Sequence, residues 1–198
     1  MSIAQYSIAR TTFQSTNCVV GPDPDYAGKA YRIAQGQHAG ADYPDDLRLP
    51  MSGNSPGKHT PDALHNTMRF LLVSHRLGEI LRRELSEDVE FLAFGLINHK
   101  KKVVPGYGFI VNLIGTADCV DLGSTVGRAS VLKPDLLMSI EVLSLDVQRI
   151  PKDGRLFRIK AKPDVLIIRS DLRELLDGQK ITGFSFFELG KPLPPMTI

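Results

Sequence analysis

"FLLVSHRLGEILRRELSEDVEFLAF", residues 70–94, decides the fold. It opens with a short apolar run that stops at Ser74. Leu77, Ile80, Leu81 and Leu85 then recur at helical spacing with Arg and Glu between them. Ser74 suits an N-cap, because its hydroxyl can accept from a free first-turn N–H. "VEFLAFGLI" reads as a strand. "NHKKKVVPG" reads as a loop and "YGFIVNLIG" as a second strand, which makes a hairpin with "HKKK" at its tip.

The same move returns near the C-terminus. "VLIIRSDLRELLDGQKITGFSFFEL", residues 165–189, runs apolar strand, Ser170, short helix, Gly178, aromatic strand. Two related β-α-β units and two separate instances of a common unit both fit this pattern. Between them "LLMSIEVLSLDVQRI" and "RLFRIK" supply further strands, with a turn at Asp153–Gly154. Interleaved strands with a few short helices predict an α+β fold: a mixed, mainly antiparallel sheet with helices on one face. A doubly wound nucleotide fold would need more helices and a Gly-rich first turn.

The first third is different. Residues 21–61 are rich in Gly, Pro, Asp and His, which disfavours long elements. Tyr26, Tyr31, Ile33, Leu47 and Leu49 are spaced as anchors. The expected division is an irregular N-terminal arm over residues 1–64, packed on an α+β domain over residues 65–198.

The chain has 198 residues, 42% of them apolar and 23% charged, which supports a packed core. Net charge is +2 with the signs mixed, so bulk charge points to neither nucleic acid nor an anionic membrane. Cys18 and Cys119 are too few for a disulfide scaffold and suit a reducing compartment. No basic segment followed by an apolar run opens the chain, and no apolar segment approaches the roughly 20 residues of a membrane helix. The expectation is a cytoplasmic protein.

"YGFIVNLIGTADCVDLGST", residues 107–125, looks like an active site, because Asp118, Cys119, Asp121 and Ser124 crowd after a strand. The two acids make Cys119 a poorer nucleophile by raising its pKa. Two carboxylates three apart are few for a calcium or magnesium site, and they equally serve turn chemistry. The five histidines show no zinc spacing. No phosphate loop, dinucleotide fingerprint or nucleophile elbow occurs. No catalytic residue, cofactor or metal is therefore expected. The candidate partner-binding residues are His99, Lys100, Lys101 and Lys102 at the hairpin tip, for an acidic partner, and Asp118 and Asp121.

In their order, "LLVSHRLGEIL", "VEFLAF", "YGFIVNLIGTADCVDLGST", "LFRI", "VLIIRSDLRELL" and "ITGFSFF" resemble a family of predicted bacterial immunity proteins. That family was first described as a domain of unknown function in myxobacteria and other Gram-negatives. The resemblance spans residues 65–190, and "YPDDLRLP" and "TPDALHN" match more loosely before it. Ser74, Asn112, Asp118, Asp121, Ser124, Phe157, Arg158 and Ser170 match the family pattern, whereas Cys119 and "HKKK" depart from it. The resemblance implies a non-enzymatic cytoplasmic antidote of a polymorphic-toxin system that binds and blocks a cognate toxin protein. It implies no nucleic acid and no membrane, and self-association stays open. Two other readings stand beside it: a small-molecule or metal-binding enzyme using the Asp118–Ser124 region, and a structural subunit of a bacterial assembly.

Overall fold

The computed structural model describes residues 5–23, 26, 31–41, 43–85 and 88–194. The first half holds β1 (Tyr6–Thr11), β2 (Val19–Val20), α1 (Tyr31–Ala34), β3 (Arg48–Pro50), β4 (Ala63–Asn66), β5 (Leu72–Val73), α2 (His75–Glu84) and β6 (Val89–Ala93). The second half holds β7 (Gly95–Ile97), β8 (Val103–Val104), β9 (Phe109–Leu113), β10 (Val126–Ala129), β11 (Leu137–Val142), β12 (Leu156–Ile159), β13 (Lys162–Arg169), α3 (Ser170–Gly178) and β14 (Phe184–Glu188). The fold is α+β, with mostly antiparallel pairing and short helices. The strands are shared among four sheets.

The chain forms two compact units. One comprises Met1–Arg10, Gly115–Gln179 and Ser185–Ile198; the other comprises Thr11–Ile114 and Lys180–Phe184. These bounds differ from a division at residue 64. Residues 11–64 belong to the second unit, because their apolar side chains join the same core as those of 64–110. Tyr26, Ile33, Leu47 and Leu49 are buried there with Leu64, Leu72 and Ile110. Tyr31 departs from the anchor pattern and is exposed. The elements of this stretch are short, as its Gly and Pro content predicts.

In the second unit one sheet has the order β2-β4-β5-β9-β6 and another the order β3-β7-β8. "VEFLAFGLI" does not run as one strand. β6 pairs antiparallel with β9 from Val89↔Leu113 to Ala93↔Phe109. Phe94 then turns its ring into the core while its N–H donates to the Gly108 carbonyl at 3.1 Å. Beyond it, Gly95 donates to the Leu47 carbonyl at 2.8 Å, and β7 pairs parallel with β3. Burying one large aromatic in the middle of the run thus moves the chain between sheets. The expected hairpin is nested: β6 with β9 outside, β7 with β8 inside.

Ser74 caps α2 as its position predicts. Its hydroxyl accepts from the Leu77 N–H at 3.2 Å and donates to Asp62 Oδ1 at 2.8 Å. Leu77, Ile80 and Leu81 form the buried stripe, each worth at most about 1.5–3 kcal/mol of transfer free energy. Gly78 sits on the same face because the Phe109 ring occupies the space a Cβ would need.

The first unit holds the sheet β12-β13-β1-β14 and the separate pair β10-β11. Its core contains Tyr6, Ile8, Cys119, Phe157, Ile159 and Ile167. The two β-α-β segments share a topology. β5 and β6 flank β9, and β13 and β14 flank β1. In each case the crossover helix leaves room for one strand from elsewhere in the chain. At α3 the N-cap residue Arg169 makes no side-chain capping hydrogen bond; instead the Asp171 carboxylate accepts from the Leu172 N–H at 2.8 Å.

Candidate functional site

Three sets of residues bear on function. The first is the β7–β8 tip in the second unit. Asn98 builds it: Oδ1 accepts from the N–H groups of Lys100 at 2.9 Å and Lys102 at 3.1 Å. The backbone closes the turn through Asn98 N–H to Lys102 O at 2.9 Å and Lys101 N–H to Asn98 O at 2.8 Å. Lys101 takes a left-handed conformation, φ +58°. His99 Nε2 donates to the Gly57 carbonyl at 3.0 Å, which joins the tip to the loop carrying Lys58 and His59. Gly57 lets this loop lie against Asn17, since a Cβ would overlap the Asn17 backbone. The N–H groups of Lys58 and His59 both reach the Thr16 carbonyl at 3.0 Å. No acid occurs in residues 47–61 or 91–117. Lys100, Lys101 and Lys102 are exposed and form no ion pair among the described residues. The sequence-predicted His99–Lys102 group is therefore one preformed cationic platform, widened by Lys58.

The second set is the Asp118–Ser124 region of the first unit. Asp118 is exposed and pairs with Arg149 Nη2 at 2.9 Å and Lys160 Nζ at 3.7 Å. Asp121 ends the strand-like run by turn chemistry, its Oδ1 accepting from the N–H groups of Gly123 at 3.0 Å and Ser124 at 3.3 Å. Hydrogen bonds from the Ser124 side chain and from the Gly123 and Ser124 N–H groups hold its carboxyl below the usual range. The two acids engage different partners. Asp121, Asp146 and Arg149 border an open depression of about 520 Å³ floored by Val120 and Leu145, and Asp118 lies outside its lining. Cys119 is fully buried, and its thiol is pushed up to about 11. The sequence reading has the direction right. The first cause, however, is burial; Asp118 and Asp146 add less, and Arg149 opposes them. Among the described residues no three His, Cys, Asp or Glu side chains are grouped to hold a metal ion. No helix among them is long and apolar enough to cross a membrane.

The other family-pattern positions have structural work. Asn112 is fully buried and donates to the Gln37 carbonyl at 2.8 Å and to Glu90 Oε2 at 2.9 Å. Arg158 is buried and donates to the Pro163 carbonyl at 2.7 Å. Phe157 packs edge-to-face on Tyr6.

The third set escapes the sequence reading. β10 and β11 form a two-stranded arm in the first unit, paired from Val126↔Val142 to Ala129↔Leu137. At its end Val131 and Leu132 are 91% and 92% exposed. Leu122, Val126 and Met138 are also exposed. An apolar run in sequence does not declare which side faces water, so only the fold reveals this surface.

Neither protein-family models nor curated proteins match this chain.

Proposed function

We propose that this chain is a cytoplasmic immunity protein that binds and blocks a cognate bacterial toxin without catalysis. The ordered motifs of residues 65–190 support the family reading, and the cationic platform is the observation that carries the binding mode. Three adjacent lysines repel one another, yet Asn98 and the Gly57–His99 contact hold them in one place, with no ion pair to an acid among the described residues. Such a surface raises the encounter rate with an acidic partner more than it adds net affinity. The platform has no aromatic side chain at its tip and no arginine in residues 98–102, so it lacks the stacking and bidentate donors of a nucleic-acid site.

Co-expression with the product of the gene immediately upstream tests the reading: if that product is the toxin, the chain rescues growth and co-purifies with it. Lys100→Glu, Lys101→Glu and Lys102→Glu together slow association at low salt by about tenfold or more and flatten its salt dependence. If the toxin is neither bound nor neutralised, the reading fails. A second reading, small-molecule binding, has the depression beside Asp121 and Asp146 in its favour. Asp121→Asn leaving a folded protein with every measurable activity intact would remove it.

A further inference from the structure

Val131 and Leu132 occupy the middle of a built turn. Ser130 N–H donates to the Leu136 carbonyl at 2.7 Å, Leu136 N–H to the Lys133 carbonyl at 2.9 Å, and Lys133 N–H to Ser130 Oγ at 3.3 Å. Pro134 stiffens the return. Turn positions favour Gly, Pro, Asn, Asp and Ser, and water favours polar side chains. Neither explains a β-branched residue and a leucine side by side at almost full exposure. The arm is also anchored along β11, at the turn end through Leu137 and at the root through Glu141 and Val142. Leu137 N–H donates to the Ala161 carbonyl at 2.7 Å, Leu193 N–H donates to the Glu141 carbonyl at 2.8 Å, and Val142 bridges Pro192. β10 is exposed along its whole length.

We infer that the β10–β11 arm is a preformed plug whose Val131 and Leu132 side chains enter an apolar cleft on the partner protein, with a partner carboxylate at the rim meeting Lys133. The inference rests on the partner-binding reading above. Shape favours a cleft over a second copy. A standard interface needs about 800 Å² and 20–30 residues on each side, more than five exposed apolar side chains supply, so the tip needs a concave partner surface that adds area around it, and two convex tips cannot enclose each other. Lipid is disfavoured because Asp135 lies three residues beyond Leu132 and no aromatic side chain lies within residues 122–142. Lys133 and Arg128 form no ion pair among the described residues, which leaves both free for the rim. A rigid turn presents its anchors with little ordering cost, so two fully desolvated aliphatic side chains can dominate the affinity.

The test uses the full chain and, as the candidate toxin, the product of the gene immediately upstream. Val131→Ser with Leu132→Ser changes only exposed positions, and an unaltered circular dichroism spectrum verifies the fold. The expected result is about 100-fold weaker binding, carried mainly by faster dissociation. A photo-cross-linking p-benzoylphenylalanine at position 132 gives an adduct with the toxin. If the wild-type chain does not bind that toxin, the immunity reading falls and the cross-link alone judges the arm. An adduct with one other protein, which when purified binds the chain and loses about 100-fold with the double variant, then upholds the plug. Unchanged affinity overturns it. So does an adduct of twice the chain mass, in which the tip seats in the Asp121–Asp146 depression of a second copy. An adduct with lipid alone, or none, also overturns it.

Discussion

Replacing Lys101 by glycine separates what the platform contributes to folding from what it contributes to binding. Lys101 holds φ +58°, where an L-residue is strained by roughly 1–2 kcal/mol against the following carbonyl. Glycine removes that strain and adds back about 0.5–1 kcal/mol of unfolded-chain entropy. The two hydrogen bonds to Asn98 Oδ1 come from Lys100 and Lys102, so they survive the change. The net gain is about 0.5–1 kcal/mol, which at roughly 2–4 °C per kcal/mol for a chain of this size raises Tm by about 1–4 °C. Lys101→Ala is the control, because it removes the same charge and keeps the strain. Urea titration followed by circular dichroism reads both variants. Lys101→Gly lies above Lys101→Ala in stability, while on the proposed function both slow association with the toxin. Lys101→Gly equal to or below Lys101→Ala would refute the claim that the turn holds lysine against its backbone preference.

Two further outcomes follow from burial and charge. Cys18 and Cys119 are both buried, with thiols pushed up to about 11, so neither reacts with an aromatic disulfide reagent at pH 8 until denaturant is added; rapid labelling of Cys119 in the folded chain would contradict its placement. Arg169, through hydrogen bonds to both carboxylate oxygens, holds Asp171 down at about 2. A depressed carboxyl stabilises the fold above its ordinary value near 3.8, and that stabilisation disappears as pH falls toward 2. Asp171→Asn therefore lowers Tm at pH 7, the difference shrinks as pH falls from 3.8 toward 2 and closes only below it, and a constant Tm difference across that range would exclude the linkage.

Much of the fold is legible in local sequence because local forces make it. The Leu77–Leu81 stripe, the Ser74 cap and the Asp121 turn each depend on residues within four positions. Their spacing is therefore readable without knowing any distant contact. The repeated strand–helix–strand order is visible for the same reason. Its shared topology is not, since the strand inserted in each pair, β9 or β1, comes from elsewhere in the chain.

What only the tertiary structure decides is where each apolar run points and which loops meet. Phe94 divides an expected single strand because its ring finds the core. Cys119 is inert first through burial, which no count of neighbouring acids foretells. The "HKKK" run is plain in sequence, but its link to Lys58 through His99 and Gly57 spans 42 residues. "SVL" at 130–132 resembles core sequence and stands in water. Hydrophobicity is a property of the residue, whereas exposure is a property of every other residue packed around it. The sequence by itself determined the α+β class and the elements near its caps, and the packing decided which surfaces are left for a partner.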